Sequence, residues 1–140
     1  MQNDAIIIHT DGGSRGNPGP AACAFVAELK GKVLEKQSKF LNTNTNNVAE
    51  YEGVLLALNW LLKSKHAFKE NNVIFFLDSE LVVKQLNGVY KIKKPELQIL
   101  NLSIRKIFSE LDKKIFFKHI PREQNKVADF LLNEELDKHF

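Results

Sequence analysis

A chain of 140 residues, 44% hydrophobic and 26% charged, has the size of one domain and buries a core without disulfides or structural metals. Its single cysteine, Cys23, excludes an internal bridge, and no apolar run approaches the roughly 20 residues that span a bilayer. The formal net charge of +3 suits a polyanionic partner without establishing one. No charged-then-apolar leader opens the chain, so the expectation is a standalone, cytoplasmic, monomeric domain over residues 1–140, with no membrane association and no obligate protein partner.

AIIIHT, residues 5–10, reads as a strand rich in β-branched residues, stopped by the glycines and prolines of DGGSRGNPGP, which predict a tight turn. From Ala21 to Leu29, Cys23, Phe25, Ala27 and Leu29 share one face of a second strand, and after Gly31 a third runs to about Leu41. These three predict an antiparallel meander. The polar NTNTNN offers N-caps for a helix in which Val54, Leu55, Leu58, Leu61 and Leu62 recur at helical spacing.

VIFFL, residues 73–77, is a continuous apolar run that predicts a strand buried on both faces; Asp78-Ser79 then leads into a short helix closed by Gly88. Pro95 suits the first turn of a helix lined by Leu97, Leu100, Ile104, Ile107 and Leu111. IFFKHI, residues 115–120, is a last strand, and a helix over roughly 125–138 closes the chain. The order βββ-α-β-α-α-β-α predicts an α/β fold, because strands separated by helices need crossovers that place helices on the sheet faces.

Four acids stand out on this frame. Asp11 is expected to end the first strand and Asp78 the fourth, and ligands of open α/β sheets bind beyond the strand ends. At about 100° per residue, Glu50 falls over Val54, Ala57 and Leu61, whereas Glu52 points toward Asn59 and Lys63, so Glu50 is the acid that faces inward. Asp129 shares a helix row with Leu132 and Leu136. Taken singly, Asp11-Gly12-Gly13 is a turn, Glu50 and Asp129 are acids near a helix N-terminus and Asp78-Ser79 is a helix cap. Together, four neighbouring carboxylates repel one another unless divalent cations neutralise them, and an oxygen-only set without a Cys/His cluster favours Mg²⁺ or Mn²⁺ over zinc.

The blocks TDGGSRGNPGPAA, NNVAEYEGVLLAL, LDSELVVKQLNG and HIPREQNKVADFLLNE, in that order and covering almost the whole chain, resemble the ribonuclease H family, type 1. The resemblance implies a mixed five-stranded sheet flanked by helices. It also implies that Asp11, Glu50, Asp78 and Asp129 hold two Mg²⁺ ions, with Mn²⁺ as a substitute, and hydrolyse the RNA strand of an RNA/DNA hybrid to 5′-phosphate and 3′-hydroxyl ends. By position, Gly12, Gly13, Ser14 and Asn17 of the glycine turn, Asn46 and Asn47 before Glu50, and Ser79 are similar to the family's substrate contacts.

Two departures mark an archaeal-like branch. The loop IPREQN carries no histidine, and the resemblance implies that Arg122 occupies the place from which a side chain could assist product release, electrostatically because arginine stays charged. His119 belongs to the strand and has no assigned role. The basic protrusion is missing as well: Lys91, Lys93 and Lys94 are the only charges of the short segment after Gly88, where a solvated loop and a phosphate contact are equally open readings. Three other functions fit parts of the pattern. A resolvase- or integrase-like nuclease shares the acid geometry, a non-catalytic binding module predicts a broken acid set, and a phosphatase needs a D-x-D pair that Asp11 lacks.

Overall fold

The structure is a computed structural model that describes residues 4–139. Strands β1 (Ala5–Ser14), β2 (Gly19–Leu29) and β3 (Lys32–Asn44) form the expected antiparallel meander. Strands β4 (Asn72–Leu77) and β5 (Lys114–His119) add in parallel on the other side of β1, so the mixed sheet runs β3-β2-β1-β4-β5. Helices α1 (Asn46–Lys63), α2 (Glu80–Leu86), α3 (Pro95–Leu111) and α4 (Lys126–Asp137) supply the connections and the closing segment, with a 3₁₀ turn at Arg122–Gln124. The architecture is the α/β fold expected from the element order.

Alternation along the strands divides the core in two. Ile6 and Ile8 of β1, Phe25 of β2 and Phe75 of β4 are fully buried on the face covered by α1 and α3, where Leu58 and Ile104 complete the packing. Each such side chain contributes about 1.5–3 kcal/mol by leaving water. The other face is held by a smaller cluster in which Ala22 and Ala24 of β2 pack on Leu132 and Leu136 of α4. Cys23 is buried beside Ala21, Leu41 and Ala49. No helix among the described residues is long and apolar enough to cross a membrane.

Two expectations are corrected. Strand β1 does not stop at Thr10: Asp11, Gly12, Gly13 and Ser14 continue it, opposite Ala24, Cys23, Ala22 and Ala21 of β2. Glycine permits a turn but does not impose one, and here pairing with the long β2 keeps the backbone extended. The turn lies further on, after Ser14, where Gly16 adopts φ +92° and the Arg15 N–H closes on the Pro20 carbonyl at 2.8 Å. Strand β4 is not buried on both faces either, because Val73, Phe75 and Leu77 are fully covered while Ile74 and Phe76 are only half-buried. Helix α4 packs on β1, β2 and β3, which leaves the second face of β4 partly open.

Candidate active site

The last parallel pair between β1 and β4 is His9 with Phe76. Asp11 and Asp78 each stand two residues beyond it, so both carboxylates leave the sheet at one level, where the adjacent strands diverge. Asp11 therefore lies beyond the pairing with β4 but still within its strand.

Helix α1 brings the third acid. Thr45 caps it, its hydroxyl accepting from the Val48 N–H at 3.2 Å, and Glu50 lies on the inner row with the buried Val54, Ala57 and Leu61. The helix comes this close because Gly12 has no side chain: a Cβ there would sit 2.2 Å from the carbonyl carbon and oxygen of Ala49. On the facing surface, a Cβ on Gly53 would sit 3.0 Å from the Asp11 carbonyl oxygen. The Gly12 N–H donates to Glu50 Oε1 at 2.6 Å and to Asp11 Oδ1 at 2.9 Å.

One carboxylate oxygen from each of Asp11, Glu50 and Asp78 lies within 4.8 Å of the others. Asp11 and Glu50 are each only 6% exposed. Burial, and then the charge of Asp78, push Asp11 up to about 7. Burial, and then the charges of Asp11 and Asp78, hold Glu50 well above the usual carboxylate range, and a hydrogen bond between the pair favours the proton on Glu50. Without a counter-charge the cluster keeps protons it would otherwise lose. Its donors are all carboxylate oxygens, with no Cys or His in the group among the described residues, so the set fits hard divalent cations.

These acids open onto a cleft of about 450 Å³, whose lining includes Gly12, Gly13, Ser14, Asn46, Asn47, Ser79, Arg122 and Asp129. Asp129, in the first turn of α4, is half-buried and outside the three-acid group. Asn46 Oδ1 accepts from the backbone N–H of Ser14 at 2.9 Å and from its hydroxyl at 3.1 Å, and Asn17 Oδ1 accepts from the Asn46 N–H at 3.0 Å. Both oxygens are thus engaged inside the protein, which leaves the amide NH₂ groups as the outward donors. Ser79 caps α2 through the Val82 N–H. Arg122 is exposed in the 3₁₀ turn, and Lys91, Lys93 and Lys94 line a neighbouring groove of about 500 Å³ that shares Asn47 with the cleft.

The sequence reading missed Asn125. It is 1% exposed, and its Nδ2 donates to the Thr10 carbonyl at 2.9 Å and to Asp78 Oδ2 at 3.2 Å. Its place before α4 suggests an ordinary cap, yet its side chain makes no capping bond. The one available signal is an asparagine four residues ahead of Asp129 in NKVAD.

Residues 9–135 match the family described as reverse transcriptase-like. LC11-RNase H1, crystallised in complex with an RNA/DNA hybrid, is 44% identical with a TM-score of 0.91 over 96% of this chain and 98% of its own. The chain belongs to the ribonuclease H family, type 1. The N-terminal ribonuclease H domain of a Mycobacterium tuberculosis protein superposes with a TM-score of 0.87 at 34% identity, covering 96% of this chain and 95% of that domain. Ribonuclease HI of the archaeon Halobacterium salinarum is 35% identical over 133 residues, 94% of this chain and 64% of that protein. The bifunctional mycobacterial protein is 36% identical over 135 residues, so this ribonuclease H chain spans 35% of that relative's length.

Proposed function

We propose that the protein is an endoribonuclease that hydrolyses the RNA strand of RNA/DNA hybrids, leaving 5′-phosphate and 3′-hydroxyl ends. The observation that carries this reading is the convergence of Asp11, Glu50 and Asp78 within 4.8 Å beside a cleft rimmed by outward amide donors. Asp11, Glu50, Asp78 and Asp129 would hold two Mg²⁺ ions, with Mn²⁺ as a substitute. Bound there, the cations supply charge neutralisation for the phosphate and activation of the attacking water. Gly12 fixes two of the carboxylates through its N–H.

The amide NH₂ groups of Asn17 and Asn46 suit acceptors in a wide, shallow minor groove, such as 2′-hydroxyl and base-edge oxygens, which report sugar type more than sequence. Gly13, Ser14, Asn47 and Ser79 complete the substrate-facing wall. Arg122 assists product release electrostatically, and the lysine groove lies beside Asn47, next to the cleft. The relative crystallised with a hybrid supports that substrate class. The protein acts as a cytoplasmic monomer.

The test is incubation with labelled RNA/DNA hybrid, duplex RNA, duplex DNA and a small phosphate ester, with Mg²⁺, Mn²⁺ or chelator. Cleavage of RNA in the hybrid alone, abolished by chelator, is expected. An intact hybrid in the presence of folded protein and Mg²⁺ overturns the reading.

A further inference from the structure

Three of the four carboxylates meet directly; Asp129 has to be presented to them from α4. One helical turn after it, Asn133 donates Nδ2 to Asp129 Oδ1 at 3.3 Å and to the Asp129 carbonyl at 3.0 Å. A side-chain amide offers an NH₂ on one side and a carbonyl on the other, so something must decide which faces the acid. That choice is made by Arg15, in the turn after β1. Its Nη2 donates to Asn133 Oδ1 at 3.3 Å and to the Asn133 carbonyl at 3.4 Å, which leaves the NH₂ for Asp129. The same nitrogen donates to Asp137 Oδ1 at 2.8 Å.

As a surface ion pair, Arg15–Asp137 contributes little stability, because the two side chains are 40% and 69% exposed. Its effect is geometric. One guanidinium nitrogen, Nη2, set among three oxygens on the last turns of α4, fixes the orientation of Asn133. The turn that holds Arg15 also holds Asn17, whose oxygen is bonded to the start of α1, so one loop touches the helices of both Glu50 and Asp129.

We propose that Asn133 and Arg15 are a positioning pair that orients the Asp129 carboxylate toward the three-acid cluster, so that cation affinity is set in part from the β1–β2 turn. This rests on the two-cation reading of the cleft. A merely local role for Asn133, bonding back to the carbonyl one turn earlier, predicts a change in stability alone.

The experiment is a double-mutant cycle on the full chain with Asn133→Ala, Asp129→Ala and the double variant, read by calorimetric Mn²⁺ titration and by kcat and KM on hybrid. Asn133 is half-buried on a helix and alanine is a good helix former, so folding is retained. Loss of one bond to a charged group predicts about tenfold weaker Mn²⁺ binding and about tenfold lower kcat with KM unchanged. In the Asp129→Ala background, Asn133→Ala should change neither. Arg15→Ala should move the same two quantities less. Equal effects of Asn133→Ala with and without Asp129, or unchanged Mn²⁺ affinity, overturn the proposal. Coupling seen by calorimetry with hybrid left uncut sinks the hydrolase reading and leaves the positioning pair standing; a wild-type chain that takes up no Mn²⁺ overturns both.

Discussion

Asn125 ties the Asp78 carboxylate to the backbone of the neighbouring strand: one amide nitrogen reaches Asp78 Oδ2 at 3.2 Å and the Thr10 carbonyl at 2.9 Å. Thr10 immediately precedes Asp11, so a single buried side chain fixes the spacing between two acids that belong to different strands. It does so from the start of α4, the helix that carries Asp129.

Asn125→Ala removes both bonds at once and leaves the Thr10 carbonyl buried without its partner, a cost of about 1–3 kcal/mol. The denaturation midpoint should fall accordingly. Hybrid cleavage should fall further than the loss of folded protein explains, because Asp78 is released from its orientation. Full activity in the folded fraction at saturating Mg²⁺ would show that Asp78 needs no such tether.

The acid cluster makes the metal-free protein sensitive to pH in a defined direction. Asp11 has its folded value raised from 3.8 to about 7, so between those values the folded chain binds more protons than the unfolded one. Stability therefore falls as pH rises through that window and stays reduced above it. The shift corresponds to at most on the order of 4 kcal/mol. In chelator, Asp11→Asn should match the wild type near about pH 4 and exceed it at about pH 8, where the Asp11 carboxylate is ionised in both states. Comparing the two chains cancels groups that shift the other way, such as Glu135. A constant difference between them across the range refutes the assignment, and loss of hybrid cleavage by Asp11→Asn should accompany the gain.

The element order and the inward angle of Glu50 were legible because they depend on local periodicity: two residues per repeat in strands, 3.6 in helices. What was illegible depends on partners far along the chain. Whether Gly12 turns or extends is decided by β2 opposite it and by α1 crossing over it, neither of which leaves a mark in DGGS itself. The half-exposure of Ile74 and Phe76 follows from where α4 lies, and a run of apolar residues does not record that. Asn125 and Asn133 act through bonds spanning 47 and 118 residues of sequence, and an asparagine beside a helix start looks like a cap. Asp11, Glu50 and Asp78, which the structure brings within 4.8 Å of one another, were legible because two follow apolar strand runs and the third falls on an inward helix row.

Gly12 and Gly13, read together as a turn, should respond in opposite ways to alanine. At Gly12 the new Cβ would meet Ala49 backbone atoms at 2.2 Å, and backbone cannot step aside as a side chain can. At Gly13 the nearest atoms lie 3.8 Å away, an ordinary contact. Gly12→Ala should push α1 off β1, destabilise by about 3 kcal/mol and detach Glu50 from its donor, whereas Gly13→Ala should melt within a few degrees of wild type. Equal melting temperatures for the two variants would mean that α1 does not approach β1 as described.

Lys91, Lys93 and Lys94 offer the last test, because the solvated-loop reading and the phosphate reading differ in salt dependence. They line the groove that shares Asn47 with the acid cleft, beside exposed Tyr90 and Leu81, so a duplex lying in the cleft brings its second backbone toward them. If they contact phosphates, each releases about one counterion on binding. Replacing all three with alanine should then raise KM, leave kcat unchanged and reduce the slope of log affinity against log salt by about three. Solvated lysines predict the same slope before and after replacement. A fall in kcat at saturating hybrid would instead implicate this groove in aligning the scissile phosphate, since affinity alone cannot lower the rate of a fully bound enzyme.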